Sequence, residues 1–348
     1  MSSIFVRGVG AVSPAGWGVG PLLEALRAGV PLPAQSLPGP ANGRSYLARL
    51  VPPPATRPTW LAHPRLRRAS AISRFAMAAA LEALGGKPSP TRLGIVTGTH
   101  AACIRYSERF YGEVLANPAT ASPMLFPETV INAPASHLAA FLGSTGVSYS
   151  VIGDQTAFVQ ALVVACQWLL DDRVDACLVL AMDEASWLAA DALRNFSREL
   201  VASEGAGALL LAREPGEGPA VAVERITDAH LYAGVATKEA AARAMRRQLP
   251  DGSSTEILVD ARCGVKRVDR AESLAWSNWP GGHLSPRLAL GEALSAATAW
   301  QFIAAHAALA AGTAEAAHVS VVGGNQAAIG ARLDRVGRPV SHSPHTPA

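Results

Sequence analysis

The stretch VSYSVIGDQTAFVQALVVACQWLLDDRVDACLVLAMDE, residues 147–184, decides the fold. It opens on a β-branched and aromatic run, VSYSVI, which turns at Gly153 and passes into a helix-length apolar segment, residues 156–172, broken mainly by Gln160 and Gln167. A second apolar run, VDACLVLAMDE, follows at once. Apolar residues on nearly every face of a helix, between two short apolar runs, predict a strand–helix–strand unit buried on both sides, because helices cover both faces of a parallel sheet.

Working outward, the same style recurs. The strand-like IFVRGVGAV leads through a Gly-rich turn to the helix GPLLEALRAG, closed by Gly29 where a left-handed cap favours glycine. Beyond Ser70 come the helix AISRFAMAAALEALGG, the strand RLGIVTG and an amphipathic helix near 101–115. EGAGALLLARE supplies another strand. Then TKEAAARAMRRQL (helix), TEILVDA (strand), a loop of mixed charge, GEALSAATAWQFIAAHAALAAG (helix) and AHVSVVGG (strand) repeat the order. This alternation predicts an α/β layered fold of two similar halves, 1–215 and 216–336. Segment 31–64 carries nine prolines, including Pro52, Pro53 and Pro54, and reads as an irregular surface excursion. The Pro/Ser-rich tail 337–348 is expected to lack fixed structure.

Composition narrows the function. Hydrophobic residues make up 49% of the 348 and charged residues 16%, against roughly 25% charged in an average soluble protein, so much of the surface should be covered by the chain itself or a partner. A net charge of +3 gives no bulk attraction for nucleic acid or membrane. Cys103, Cys166, Cys177 and Cys263 form no CxxC pair, which predicts reduced thiols, no structural metal and no cofactor. MSSIFVRGVG lacks the charged and long apolar regions of a secretory signal, so a cytoplasmic protein is expected. The apolar stretches 157–170 and 293–311 hold too many polar residues to span a bilayer. There is no GxSxG, P-loop or complete GxGxxG. His342 and His345 have a metal-like spacing but no further ligands around them.

Five spaced motifs together resemble the β-ketoacyl-acyl-carrier-protein synthases, the ketosynthases of the thiolase fold. They are GVGAVSPAG (8–16), FPETVINAPASHLAAFLGSTGVSYSV (126–151), EGAGALLL (204–211), DAH (228–230) and VVGGNQAAIG (321–330). The resemblance covers nearly the whole chain and implies two packed mixed-sheet halves in an α-β-α-β-α arrangement, with the site between them. A ketosynthase needs a cysteine at the start of a buried helix, where the dipole favours thiolate that can take an acyl group from a thioester. It also needs two histidines to stabilise the oxyanion while a malonyl thioester loses CO2.

Matched to that pattern, the cysteine position is Gln155 in GDQTAF, and an amide cannot form a thioester. The glycine usual three residues on is Phe158, which is expected to fill space and obstruct acyl entry. The first histidine position holds Arg262, followed by Cys263 and Gly264, with Asp269 and Glu272 keeping the family spacing. The second is Glu292 after Gly291, and the family lysine is Arg287. Gln in place of the active cysteine resembles the chain length factor, the non-condensing subunit that pairs with an active ketosynthase in type II polyketide and aryl-polyene systems. That resemblance implies no catalytic residues here, a heterodimer with a ketosynthase, and an acyl carrier protein reached through the partner. It also implies a helix that closes the acyl tunnel, matched by CIRYSERFYGEVL, where Cys103, Tyr106 and Phe110 fall on one face. With Phe158 these are the candidates for tunnel floor and interface.

Other readings stand beside this one. Arg262 and Glu292 either form a buried ion pair that seals the dead pocket or face solvent on loops. Gln155 and Cys263 could serve a malonyl-carrier decarboxylase or acyltransferase, and a homodimeric scaffold could hold an acyl carrier without chemistry. The clusters Arg65, Arg67, Arg68 and Arg243, Arg246, Arg247 either steer an acidic carrier protein or are solvated surface.

Overall fold

A computed structural model describes residues 3–39, 43–67 and 69–337. The tail 338–348, with His342 and His345, lies outside the described residues, as do Arg68 and the side chain of Arg65. In chain order the first half comprises β1 (Ile4–Ser13), α1 (Val19–Ala28), α2 (Ala71–Leu84), β2 (Leu93–Thr99), α3 (Ile104–Ala116), α4 (Ala133–Leu142), β3 (Ser148–Ile152), α5 (Ala157–Leu170), β4 (Ala176–Asp183), α6 (Trp187–Leu193) and β5 (Gly205–Ala212). The second comprises β6 (Ala220–Ile226), α7 (Val235–Arg247), β7 (Ile257–Val259), α8 (Lys266–Ala275), β8 (Gly282–Leu284), α9 (Pro286–Leu290), α10 (Leu294–Ala310), β9 (Ala316–Val322) and β10 (Ala327–Val336).

The duplication is topological. Strands of the first half run in the order β1-β5-β4-β2-β3 and those of the second in the order β6-β10-β9-β7-β8. Each set has its first and last strands antiparallel and its three outermost strands parallel. Antiparallel pairing of Ile4–Val6 with Val221–Val223 joins the two sets into one extended sheet. Helices α5 and α10 pack against strands of both halves and form the central layer, while α2 and α4 cover the first half and α7 and α8 the second.

Local chemistry explains the close layers. Ser70 caps α2 by accepting the Ser73 amide at 3.3 Å, and Gly85 ends it in the left-handed conformation. A Cβ on Gly8 or Gly10 would come within 2.0 Å of the Ala83 or Ala79 carbonyl, so the GVG of β1 lets α2 lie directly on the sheet. In the central layer Phe158 of α5 meets Phe302 of α10 edge to face at 5.3 Å. The indole of Trp300 donates to Val12 and Ala206 carbonyls.

Three expectations change. The excursion 31–64 is not wholly irregular: Gln35–Leu37 and Tyr46–Arg49 pair, and Tyr46–Arg49 adds Ala202–Ser203 in parallel, because buried Tyr46 and Ala48 seat on α6. The mixed-charge loop contains α8, whose Lys266, Arg267 and Arg270 are exposed while Ala271 and Glu272 are buried. Helix α5 is not buried all round, since Val163 and Leu170 are exposed.

Candidate functional site

The turn before α5 is tied to the far end of the chain. The buried Asp154 carboxylate accepts the Thr156 amide and hydroxyl through Oδ1 at 3.0 and 2.7 Å, and the Asn325 and Gln326 amides through Oδ2, both at 3.2 Å. A Cβ on Gly323 would stand 2.2 Å from that oxygen, so only glycine permits the cradle. Next to it, the Gln155 side-chain carbonyl accepts the Gly324 amide at 2.8 Å, and its main-chain carbonyl accepts the Thr298 hydroxyl at 2.8 Å. Gln155 is thus held by backbone and α10 together, with its carbonyl oxygen taking a backbone N–H that an oxyanion would otherwise compete for.

Glu292 is buried, but its partner is Arg287, with Nη1 3.1 Å from Oε2. Its other oxygen accepts the Leu294 amide at the start of α10, at 2.8 Å. The pair with Arg262, one of the two readings, does not form, and the other fails too, because Glu292 is buried. Arg262 is half-exposed and bonds Asp260, two residues away, at 2.8 Å. The chain turns back at Gly291, with φ +86°, which brings Arg287 onto Glu292, whereas Asp260 captures Arg262 locally. Nε and Nη2 of Arg287 are buried with no acceptor. Cys263 lies 3.1 Å from Asp269 Oδ1, and burial first, then that carboxylate, pushes its thiol up to about 12; it offers no thiolate at neutral pH.

A pocket of about 320 Å³ opens between Gln155, Phe196, Leu200, Tyr232, Lys238 and Glu292. Its described lining holds no cysteine, histidine or serine. The carboxylates that reach it, Glu239 and Glu292, are each ion-paired, to Arg243 and Arg287. The Tyr232 hydroxyl donates to the Gly323 carbonyl at 2.5 Å, and burial raises its phenol. The Lys238 ammonium sits 5.6 Å over the Tyr232 ring, and burial lowers its proton affinity. Such a pocket can hold a ligand, but its described lining offers neither a thiol nor the paired imidazoles for decarboxylative condensation. Lys238 and Tyr232 carry no sequence motif; α7 packing against β10 and the Gly323 turn places them here.

The tunnel candidates separate. Cys103 precedes α3 and is sealed in the core beside Ser70, 3.8 Å away, its thiol pushed up to about 12 mainly by burial. Phe158 is likewise fully buried between α5 and α10. Neither lies at a surface or lines the pocket, because α2 and α10 cover them. Tyr106 packs half-buried on the α2 side, while Phe110 turns outward to Tyr111 and Phe126 at 5.9 and 5.7 Å. No residue of α3 is fully buried. Its first turn is anchored by the Arg105 amide on Glu184 and the Arg105 guanidinium on Glu204, at 2.8 and 2.6 Å. Beyond it β3 forms the edge of the sheet, pairing with β2 alone and exposing Tyr149 and Ile152 by 54% and 58%.

A family model described as "Beta-ketoacyl synthase, N-terminal domain" matches residues 50–276. No curated protein matches the chain. Among solved structures, "The ishigamide ketosynthase/chain length factor" superposes with a TM-score of 0.80 at 21% identity, over 96% of this chain and 100% of that one. A ketosynthase (ApeO) in complex with its chain length factor (ApeC) from Xenorhabdus doucetiae gives 0.76 at 16%, over 96% and 98%. AntDE:AntF, a type II polyketide synthase acyl-carrier protein in complex with its ketosynthase bound to the hexaketide, gives 0.77 at 15%, over 96% and 99%. At these identities the likeness speaks for the fold.

Proposed function

Because this chain belongs to the β-ketoacyl synthase family, we propose that it is a non-condensing member, which pairs with an active ketosynthase and shapes the acyl tunnel of a polyketide, aryl-polyene or fatty-acid-like pathway. The pocket carries this reading: at the start of α5 stands Gln155, bonded to Gly324, and no thiol or imidazole lines the space in front of it. Arg262 and Glu292, at the former histidine positions, are spent on Asp260 and Arg287.

Pairing is supported by the open edge of β3 and by exposed Met124, Phe126, Val130, Ile131 and Val163, which a lone chain would leave wet. A second ketosynthase-fold subunit with its own open edge strand suits such a face. Tyr106 and Phe110 of α3 are the residues assigned to the end of the tunnel, and the carrier protein is taken to deliver acyl groups to the partner.

The test is co-expression with a ketosynthase that keeps its cysteine, followed by native mass and product length for wild type and Phe110→Ala. A one-to-one complex with longer products from the variant is expected. A stable homodimer that ignores the ketosynthase would overturn the pairing and leave a scaffold.

A further inference from the structure

A second cavity, of about 350 Å³, shares only Leu200 and Glu292 with the described lining of the Gln155 pocket. Its walls are tied to one another: the Leu32 amide donates to the Ala289 carbonyl of α9, and the Glu292 amide to the Val201 carbonyl, both at 2.9 Å. Arg49 and Arg287 bring two guanidinium groups to it. The Arg287 side chain is only 3% exposed and spends Nη1 on Glu292. Its Nε and Nη2 are buried without an acceptor. These two nitrogens form one edge of the planar guanidinium, with N–H bonds that run side by side, so the open edge is a fork for two oxygen atoms of one anion. Arg49 donates Nε to the Leu32 carbonyl at 2.7 Å and makes no ion pair among the described residues, and burial disfavours its charge. Glu292, held by Arg287 and the Leu294 amide, offsets one of the two guanidinium charges. Glu199 stands exposed at the rim, where solvent screens it.

We propose that this cavity binds the carboxylate of a small aliphatic acid, its two oxygens on Nε and Nη2 of Arg287 and its charge shared with Arg49. A planar carboxylate matches a guanidinium edge in a bidentate pair. Its single negative charge equals the one positive charge that Glu292 leaves over, whereas a dianion such as sulfate brings one charge too many into a place where unpaired charge is costly. Pro31, Leu200 and Leu288 line the same cavity and give an alkyl substituent an apolar wall. The site is independent of whether the chain pairs with a ketosynthase, and it uses none of the groups that hold Gln155.

The test is calorimetric titration of the full chain at constant ionic strength, with any copurifying partner present and substitutions confined to this chain. Three probes are used: butyrate, its uncharged counterpart butyramide, and sulfate. Butyrate is expected to bind more tightly than either of the others. Arg287→Lys keeps a charge for Glu292 but has no fork, and should weaken butyrate about tenfold or more. Arg49→Gln leaves the Arg287–Glu292 pair intact and should weaken it roughly threefold or more; it decides the question if melting curves show that Arg287→Lys does not fold. Butyrate bound no better than butyramide, or bound equally by wild type and the folded variants, would refute the site. Sulfate bound more tightly than butyrate would refute the carboxylate assignment.

Discussion

Replacing Arg287 by Met leaves Glu292 in a place built for a pair of charges, since both side chains are only 3% exposed. The carboxylate is then left unpaired in the interior, which costs about 3–5 kcal/mol when one partner of a buried pair is removed. Three of the five Arg287 N–H donors, on Nε and Nη2, are already without acceptors among the described residues, so losing the guanidinium itself sacrifices little. Arg287→Met should therefore destabilise the chain by about 3–5 kcal/mol. Adding Glu292→Gln should recover most of the loss, because the amide oxygen can still accept the Leu294 amide that now bonds Oε1 at 2.8 Å. Urea denaturation of wild type and the two variants measures this. A penalty below about 1 kcal/mol, or no recovery in the double variant, would refute a buried charge pair.

Two further outcomes follow from buried groups. Burial pushes the Glu184 carboxyl up to about 7, so the native state binds a proton that the unfolded chain releases, and this contribution to stability is lost as pH rises through 7. Buried His306, held down to about 4, acts in the opposite sense only below its unfolded value of about 6.5, while buried Glu272, pushed up to about 8 mainly by burial, acts in the same sense as Glu184 between about pH 6.5 and 8.5. Stability should fall there by about 1 kcal/mol from Glu184, and Glu184→Gln should make the decline of the thermal-melting profile shallower by that amount; a wild-type profile that rises instead would contradict the placement. Phe158→Ala should cost about 3–5 kcal/mol as a core cavity while leaving product length unchanged in the ketosynthase complex. A change in product length without loss of stability would put Phe158 in the tunnel after all.

The family and the layered α/β fold were legible in the sequence, because both rest on local signals. Periodicity marked α5 and α10, glycine and serine caps marked helix ends, and glycines such as Gly8, Gly10 and Gly323 stand where backbone must approach closely. The proposed replacement of thiol and imidazole types at Gln155, Arg262 and Glu292 rests likewise on motif position. Pairing between side chains could not. Arg262 and Arg287 are the same residue type, and only the reversal at Gly291 and the proximity of Asp260 decide which one meets Glu292. The helical spacing of Cys103, Tyr106 and Phe110 put them on one face, yet the α2 and α4 layer buries the first while the last turns to Phe126. Lys238 carries no linear signature, since only the packing of α7 on β10 brings it beside Tyr232 and the Gln155 pocket. Sequence alone determined which residue types stand at each motif position, because that is fixed by the order of residues along the chain. Which charges are neutralised, which aromatics are core and which surface stays open depend on distances that only tertiary packing sets.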